Sequence, residues 1–313
     1  MSGEFNHISV LLDESVELLE VKPDGIYVDG TLGGGGHASL VCSKLSDKAT
    51  FVGIDRDMTA IGAASKRLEK YGSIVNIVHS NFADVKEVLR DLGIDKIDGA
   101  ILDLGVSSPQ LDTAERGFSY NMDAKLDMRM NREDKLSAYE VVNEYSEADL
   151  TKIIFDYGEE RFARQIARAI VSERRSKSIE TTFQLRDIIK GAVPAKMRFA
   201  DKHPAKRTFQ AIRIEVNNEL GILEKAIRDF VDVLKPGGVL SVITFHSLED
   251  RIVKQTFADL ASGCECPKNF PVCVCGKEPV VRAVNKKPIV SGEKELEFNN
   301  RAHSAKLRAV KKI

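Results

Sequence analysis

Residues 29–37, Asp-Gly-Thr-Leu-Gly-Gly-Gly-Gly-His, set five glycines between a carboxylate and an imidazole. Backbone this bare can approach a ligand closely and take up positive φ. Two further carboxylates close short apolar runs, Asp55 after Phe51-Val52-Gly53-Ile54 and Asp103 after Ala100-Ile101-Leu102. Asp55 stands nineteen residues beyond Gly36. An acidic side chain at that spacing can accept hydrogen bonds from the two hydroxyls of a ribose. Asn81-Phe82 follows another such run, where a side chain can lie against an adenine ring.

The glycines alone are ambiguous. Gly33, Gly35 and Ala38 also satisfy the dinucleotide pattern G-x-G-x-x-G/A, which is a weak match by itself. The charges around them discriminate. A dinucleotide sets an anionic pyrophosphate at the start of the following helix, and Asp29 and Asp103 would repel it. S-adenosyl-L-methionine has no phosphate; its sulfonium and ammonium are positive and suit neighbouring carboxylates. No G-x-x-x-x-G-K-[ST] segment is present, which disfavours a P-loop nucleotidase. The loop therefore points to S-adenosyl-L-methionine as cofactor and to methyl transfer.

Asp103-Leu104-Gly105-Val106-Ser107-Ser108-Pro109-Gln110 suggests the acceptor. An exocyclic amine on a ring is a poor nucleophile because its lone pair is delocalised. Acceptors that hold its N–H groups out of plane restore lone-pair character and aim it at the methyl group. Ser108 and adjacent carbonyls can do this, with Pro109 stiffening the turn. Asp103, Ser108 and Pro109 are therefore candidates for the transfer step. The bland reading is a serine-proline link between domains.

These residues need a scaffold, and the first hundred residues outline one. Strand-like runs at 26–29, 50–55, 74–78 and 99–104 alternate with helix-like stretches at 37–45, 59–71 and 82–92. Such alternation implies βαβ units and an α/β fold with a parallel, doubly wound sheet. The runs are almost wholly apolar, as strands covered on both faces must be. From 112 to 208 the texture changes to helical spacing, with Ser137, Ser146 and Thr181 as expected N-caps. After it, a helix over 212–234 is expected to stop at Lys235-Pro236-Gly237-Gly238. A fifth strand over 239–245, a helix over 248–260 and final strands over 280–284 and 305–310 follow. The expected organisation is a discontinuous cofactor domain, 1–111 and 209–313, interrupted by an all-helical insertion at 112–208.

The net charge of −1 conceals a strong asymmetry. Residues 133–160 hold nine acidic and two basic side chains, and residues 161–213 hold fourteen basic and four acidic ones. The second stretch is either a solvated helix face or a surface for nucleic acid. No apolar run spans a bilayer, so no membrane partner is expected. The first residues carry acidic side chains and no long apolar core, so no secretory signal is expected. Cys264, Cys266, Cys273 and Cys275 form C-x-C-x6-C-x-C, while Cys42 stands alone. Zinc or an iron–sulfur cluster is conceivable, but C-x-C pairs are strained around one tetrahedral ion, and thiols in a reducing cytoplasm are the expectation.

The motifs together resemble the MraW/RsmH methyltransferases. The resemblance rests on residues 29–37, Gly53-Ile54-Asp55-Arg56-Asp57, 103–110, Arg116-Gly117-Phe118-Ser119, Leu126-Asp127-Met128-Arg129-Met130 and Phe245-His246-Ser247-Leu248-Glu249-Asp250-Arg251. It extends over essentially the whole chain. It implies a class I (Rossmann-like) methyltransferase sheet with a helical insertion that binds the RNA substrate. It further implies N4-methylation of a cytidine in the decoding centre of bacterial small-subunit (16S) ribosomal RNA. Carried over by position, the cofactor contacts would be Gly35, Gly36, His37, Asp55, Phe82, Asp103 and Gln110. His246 and Arg251, just past the fifth strand, would face the same crevice, with His246 touching the target base or its phosphate. The basic series Arg161, Arg164, Arg168, Arg174, Arg175, Lys177, Lys196, Arg198, Lys202, Lys206 and Arg207 would meet RNA phosphates. Two other readings stand beside this one: an NAD-dependent dehydrogenase, and a non-enzymatic RNA-binding module on the same fold.

Overall fold

The computed structural model describes residues 9–198, 203–263, 266, 272 and 275–313. Cys264, Cys273 and Lys202 lie outside the described residues, as does the side chain of Ser108. The chain divides into two compact units, one of residues 1–105 and 220–313, the other of 106–219.

In the first unit, α1 (Leu12–Leu18) precedes β1 (Ile26–Asp29), α2 (Gly36–Cys42), β2 (Thr50–Asp55), α3 (Met58–Leu68), β3 (Val75–His79), α4 (Val85–Asp91) and β4 (Ile97–Asp103). The second unit holds α5 (Ser108–Asp112), α6 (Ala138–Glu144), α7 (Glu147–Asp156), α8 (Ala163–Arg174), α9 (Thr182–Ala192), α10 (Ala195–Arg198) and α11 (Ala205–Asn217). The chain then returns through α12 (Leu223–Val233), β5 (Leu234–Thr244), α13 (Ser247–Ala261), β6 (Val281–Ala283), α14 (Glu293–Phe298) and β7 (Lys306–Lys312).

The strands form one sheet in the order β3-β2-β1-β4-β5-β7-β6. The β1–β5 pairs are parallel; β7 runs antiparallel to β5 and β6. Strand periodicity sends successive side chains to opposite faces. Tyr27, Phe51, Ile101 and Val239 pack on the side of α1, α2 and α3. Val28, Val52, Leu102 and Leu240 pack on the side of α4, α12 and α13. Because both faces are covered, the ends of β1, β2 and β4 are the places where polar groups can gather. The order reverses between β1 and β4, so their carboxyl ends flank a topological switch point.

Two expectations near residue 212 need correction. The single helix over 212–234 is two helices. Asn218 takes a left-handed conformation (φ 48°) and ends α11, as asparagine tolerates at a helix C-terminus. Lys235-Pro236-Gly237-Gly238 does not lie outside the sheet; it bulges within β5. Ile97 pairs with Leu234 and Gly99 with Val239, so the four residues loop out where Gly237 has φ 81°.

The helical unit also extends past the expected 112–208. Val106 and Leu111 pack against its core, as do Phe209, Ile212 and Val216 of α11. A boundary after Thr208 would cut α11 in two. Ser137, Ser146 and Thr181 each cap a helix through the side-chain oxygen. No helix among the described residues is long and apolar enough to cross a membrane.

Buried Asn217 ties the irregular 113–136 stretch to α11. It accepts from the Met130 N–H at 2.8 Å and donates to the Met128 and Arg213 carbonyls at 2.8 and 2.9 Å. Asn217→Ala leaves the Met130 N–H and the Met128 carbonyl unpaired and is expected to destabilise the protein by about 2–3 kcal/mol. Urea unfolding would measure it, and a change near zero would contradict the network's role.

Candidate active site

The glycine loop is stitched to three strand ends. Gly30 N–H donates to the Ile101 carbonyl at 3.0 Å and Leu32 N–H to the Ile54 carbonyl at 2.9 Å. A Cβ at Gly30 would lie 2.5 Å from Leu102 Cδ2 and 2.9 Å from Phe230 Cζ, so only glycine lets the chain pass there. Gly33 and Gly35 have positive φ, 51° and 74°, and Gly35 opens α2. The bare backbone thus follows from a crowded crossing and two left-handed turns.

The carboxylates hold the loop and are held by it. Asp29 Oδ1 accepts from Thr31 N–H at 3.0 Å and from its hydroxyl at 3.4 Å. The same hydroxyl oxygen accepts from Asp103 N–H at 2.6 Å, linking the ends of β1 and β4. Asp55 Oδ2 accepts from Gly33 N–H at 2.7 Å and Oδ1 from Asp57 N–H at 2.8 Å. The Arg56 N–H acts on Asp55 as well, and the carboxylate keeps acceptor capacity for one ribose hydroxyl.

Asp103 is placed differently. Its Oδ1 is buried with no hydrogen-bond partner. Its Oδ2 lies 3.7 Å from His37 Nδ1. His37 Nε2 is 3.2 Å from the Val10 carbonyl, which fixes the ring with Nδ1 toward Asp103. No Lys or Arg side chain forms an ion pair with Asp29, Asp55 or Asp103 among the described residues. Burial pushes Asp29 up to about 7, against its hydrogen bonds from Thr31, and the Asp55 charge adds to the rise. Burial lifts Asp103 well above the usual carboxylate range, with the charges of Asp29 and Glu249 acting in the same direction. Asp55 is raised as well, chiefly by burial.

Phe82 begins a short turn that Asn81 caps through Ala83 N–H at 3.0 Å. It packs partly buried against the sheet core and meets the loop at Gly30. His246 caps α13: its Nδ1 lies 3.5 Å from Glu249 N–H, while Glu249 Oε2 accepts from the Phe245 and His246 N–H groups at 2.8 and 3.2 Å. His246 Nε2 sits 3.1 Å from Glu249 Oε1 but out of line for a hydrogen bond, and is buried without a hydrogen-bond partner. Sequence reasoning missed this capping role and gave Glu249 no role. The signal was available, since His246-Ser-Leu-Glu249 has capping-box spacing with histidine in place of serine or threonine.

Ser108, Pro109 and Gln110 belong to the helical unit. Gln110 is buried and its Oε1 accepts from Ser107 N–H at 3.0 Å, forming the capping box of α5, with Pro109 in the first turn. The sheet unit brings Asp29, Gly35, His37, Asp55, Phe82 and Asp103 around one loop, with Glu249 and His246 at the next strand end.

The basic series of the helical unit separates into two kinds. Arg174 donates to the Val142 carbonyl at 2.5 Å and to that of Tyr145, closing the end of α6. Arg198 donates to the Val193 and Gly191 carbonyls at 3.1 Å each, and Arg207 to that of Glu159 at 3.0 Å. Arg168 lies 3.7 Å from Glu147. Arg164, Arg175, Lys177, Lys196 and Lys206 are exposed, with no side-chain partner among the described residues.

A seven-stranded sheet in this order, with its last long strand reversed, places a glycine-rich loop among three carboxylates at the switch point. The orphaned Asp103 oxygen suits a cation and opposes a pyrophosphate. Fold and site together define a class I methyltransferase whose cofactor is S-adenosylmethionine. The MraW methylase family model matches residues 4–313, and the chain belongs to that family. This sets aside the NAD-dependent dehydrogenase.

The chain is 56% identical over 310 residues to Ribosomal RNA small subunit methyltransferase H of Clostridioides difficile (strain 630), covering 99% of this chain and 100% of the relative. It is 58% identical to the protein of the same name from Clostridium botulinum (strain Kyoto / Type A2), again over 99% and 100%. Among solved structures, an rRNA methylase from Streptococcus thermophilus aligns over 98% of each chain at 13% identity and a TM-score of 0.44, too distant to bear on the assignment.

The raised carboxyls set a pH dependence. Folded Asp29 keeps its proton up to about pH 7, whereas an unfolded aspartate loses it near pH ~4. The folded state therefore binds more protons between these values, and stability falls as pH rises through this window, by up to about 4 kcal/mol. Asp29→Asn removes this contribution. Urea unfolding of cofactor-free protein from about pH 5 to about pH 8 should show a steeper decline for wild type than for Asp29→Asn; equal slopes would refute the assignment.

Proposed function

We propose that this protein transfers a methyl group from S-adenosylmethionine to the N4 amine of a cytidine in the decoding centre of small-subunit (16S) ribosomal RNA. The observation that carries the reading is the end of β4. There the buried, unpaired Asp103 oxygen is followed within a few residues by the Ser107–Gln110 turn. The relatives named for small-subunit ribosomal RNA methylation, 56–58% identical across the full chain, support the substrate class.

The cofactor supplies an electrophilic methyl group on a sulfonium. Asp55 would accept from one of its ribose hydroxyls, Phe82 would lie against the adenine, and Gly35 and Gly36 would let it approach the backbone. Asp29, Asp103 and His37 form the polar wall that favours its positive charge. Ser108 and neighbouring carbonyls would hold the amine N–H groups out of the ring plane, with Pro109 limiting movement of the turn. Gln110 keeps that turn closed through Ser107. His246, anchored by Glu249, keeps a buried ring nitrogen for the target base or its phosphate.

The helical unit serves as the RNA-substrate domain in this reading, with Arg164, Arg175, Lys177, Lys196 and Lys206 meeting phosphates. The cytidine must be unpaired or flipped from its stack. The protein would act in the cytoplasm on RNA within, or destined for, the small subunit.

Incubation with radiolabelled S-adenosylmethionine and undermethylated small subunits, followed by mapping of the label, tests the reaction. Label on one decoding-centre cytidine is expected, with loss in Asp103→Ala. Label elsewhere, or none, overturns the reading in favour of another target or a non-enzymatic RNA-binding module. Replacing Arg164, Arg175 and Lys177 by alanine should weaken RNA binding and lower its salt slope by roughly one for each phosphate that is no longer neutralised. Cofactor affinity should be unchanged. An unaltered salt slope would remove these residues from the RNA surface.

A further inference from the structure

Asp29 and Asp103 end neighbouring strands, are joined through Thr31, and lie close enough for the charge of one to act on the other. Among the described residues the groups facing them are few. From β2 comes Asp55, both of whose oxygens are taken by backbone N–H groups. From α2 come the His37 ring and the Cys42 thiol, the latter pushed up to about 12 by burial and the Asp29 charge. From α13 comes Glu249, fastened by the Phe245 and His246 N–H groups. Arg56 follows Asp55 in the chain, and Arg67 of α3 approaches the Gly36 end of the loop. Neither forms an ion pair with Asp29, Asp55 or Asp103 among the described residues.

With Asp29 buried, Asp103 half-buried and one imidazole to offset them among the described residues, carboxyl groups this close do not all carry charge together. In cofactor-free protein the Asp29–Asp103 pair therefore holds a proton around neutral pH. A cation entering the site takes the place of that proton. S-adenosylmethionine and S-adenosylhomocysteine differ by one methyl group and one positive charge, that of the sulfonium.

We propose that the Asp29–Asp103 pair gauges the charge on the ligand's sulfur: it releases a proton when the sulfonium cofactor binds and keeps that proton when the thioether product fills the site. The pair thereby selects cofactor over product by charge, and its reprotonation accompanies turnover. Atoms and charge balance. The C–S bond breaks with its electron pair left on sulfur, a C–N bond forms from the amine lone pair, and the amine releases one proton. One positive charge disappears from sulfur as one proton appears, and the carboxyl pair takes up one. The inference rests on the methyltransferase assignment but not on which RNA base is the target.

Isothermal titration calorimetry on the intact cofactor-free protein counts the protons. S-adenosylmethionine and S-adenosylhomocysteine are titrated in buffers of differing ionisation enthalpy from about pH 6 to about pH 8.5. The cofactor is expected to release close to one proton more than the product. Over the same range the ratio of product Kd to cofactor Kd should rise by up to about tenfold per pH unit. Asp29→Asn and Asp103→Asn should each shrink the difference, while His37→Gln leaves it. Equal proton release by the two ligands overturns the proposal, and the wild-type measurement decides this even where a variant does not fold. A difference that persists in both aspartate variants and vanishes in His37→Gln overturns it as well, by assigning the proton to the imidazole. Binding of neither ligand would instead refute the cofactor site itself, an outcome distinct from equal release by two bound ligands.

Discussion

Carboxylates can stand at the ends of apolar strands only if something offsets their burial, and that constraint organises the sheet unit. Asp29 and Asp103 leave the sheet where helices cover both faces, so water does not solvate them freely. Removing an unpaired polar group from water costs on the order of several kcal/mol. Thr31 meets part of that cost by donating twice to Asp29 and accepting from Asp103 N–H. Asp55 is offset by Gly33 and Asp57 N–H groups. The glycine loop is therefore more than a gap for a ligand: its N–H groups and the Thr31 hydroxyl make the carboxylate cluster tolerable. What it leaves unmet, one oxygen of Asp103, is the part that a cation completes.

The same need for a partner separates the charges of the helical unit. A basic side chain near a helix end has a ready use in the last unpaired carbonyls. Arg174 and Arg198 are used in this way, and Arg213 forms a bidentate pair with Glu219 at 2.8 Å for both contacts. The positive stretch seen in the chain is thus thinner on the surface than in the sequence. What remains exposed is still basic in excess, although Glu173, Glu180 and Asp187 are exposed among it, and such an excess suits a phosphate-binding face.

Most of the sheet was legible because strand periodicity and burial on both faces leave a local mark. The runs ending at Asp29, Asp55 and Asp103 are strands, and Ser137, Ser146 and Thr181 cap helices. The failures have equally local causes. Asn218 can end a helix in a left-handed turn, yet asparagine also sits inside helices, and only the fold of α11 against its neighbours selects the break. Lys235-Pro236-Gly237-Gly238 has the composition of a turn in either setting. Its place as a bulge depends on β4 lying alongside. His246 was placed near substrate by its position just past the fifth strand; that it also closes α13 with Glu249 was missed, because histidine seldom caps helices.

The sequence by itself determined the fold class, the order of chemistry along the chain and the sign of the ligand's charge. Those depend on residue type and spacing, which are properties of the chain. It did not determine protonation. Whether Asp29, Asp55 and Asp103 are ordinary carboxylates or carboxyls that hold their protons depends on how much water reaches them and which charges stand beside them. Glu249 reaches Asp103 from a segment well over a hundred residues further along the chain, and no local pattern encodes that approach. Tertiary structure decided it, because desolvation and Coulomb interactions act through space rather than along the sequence.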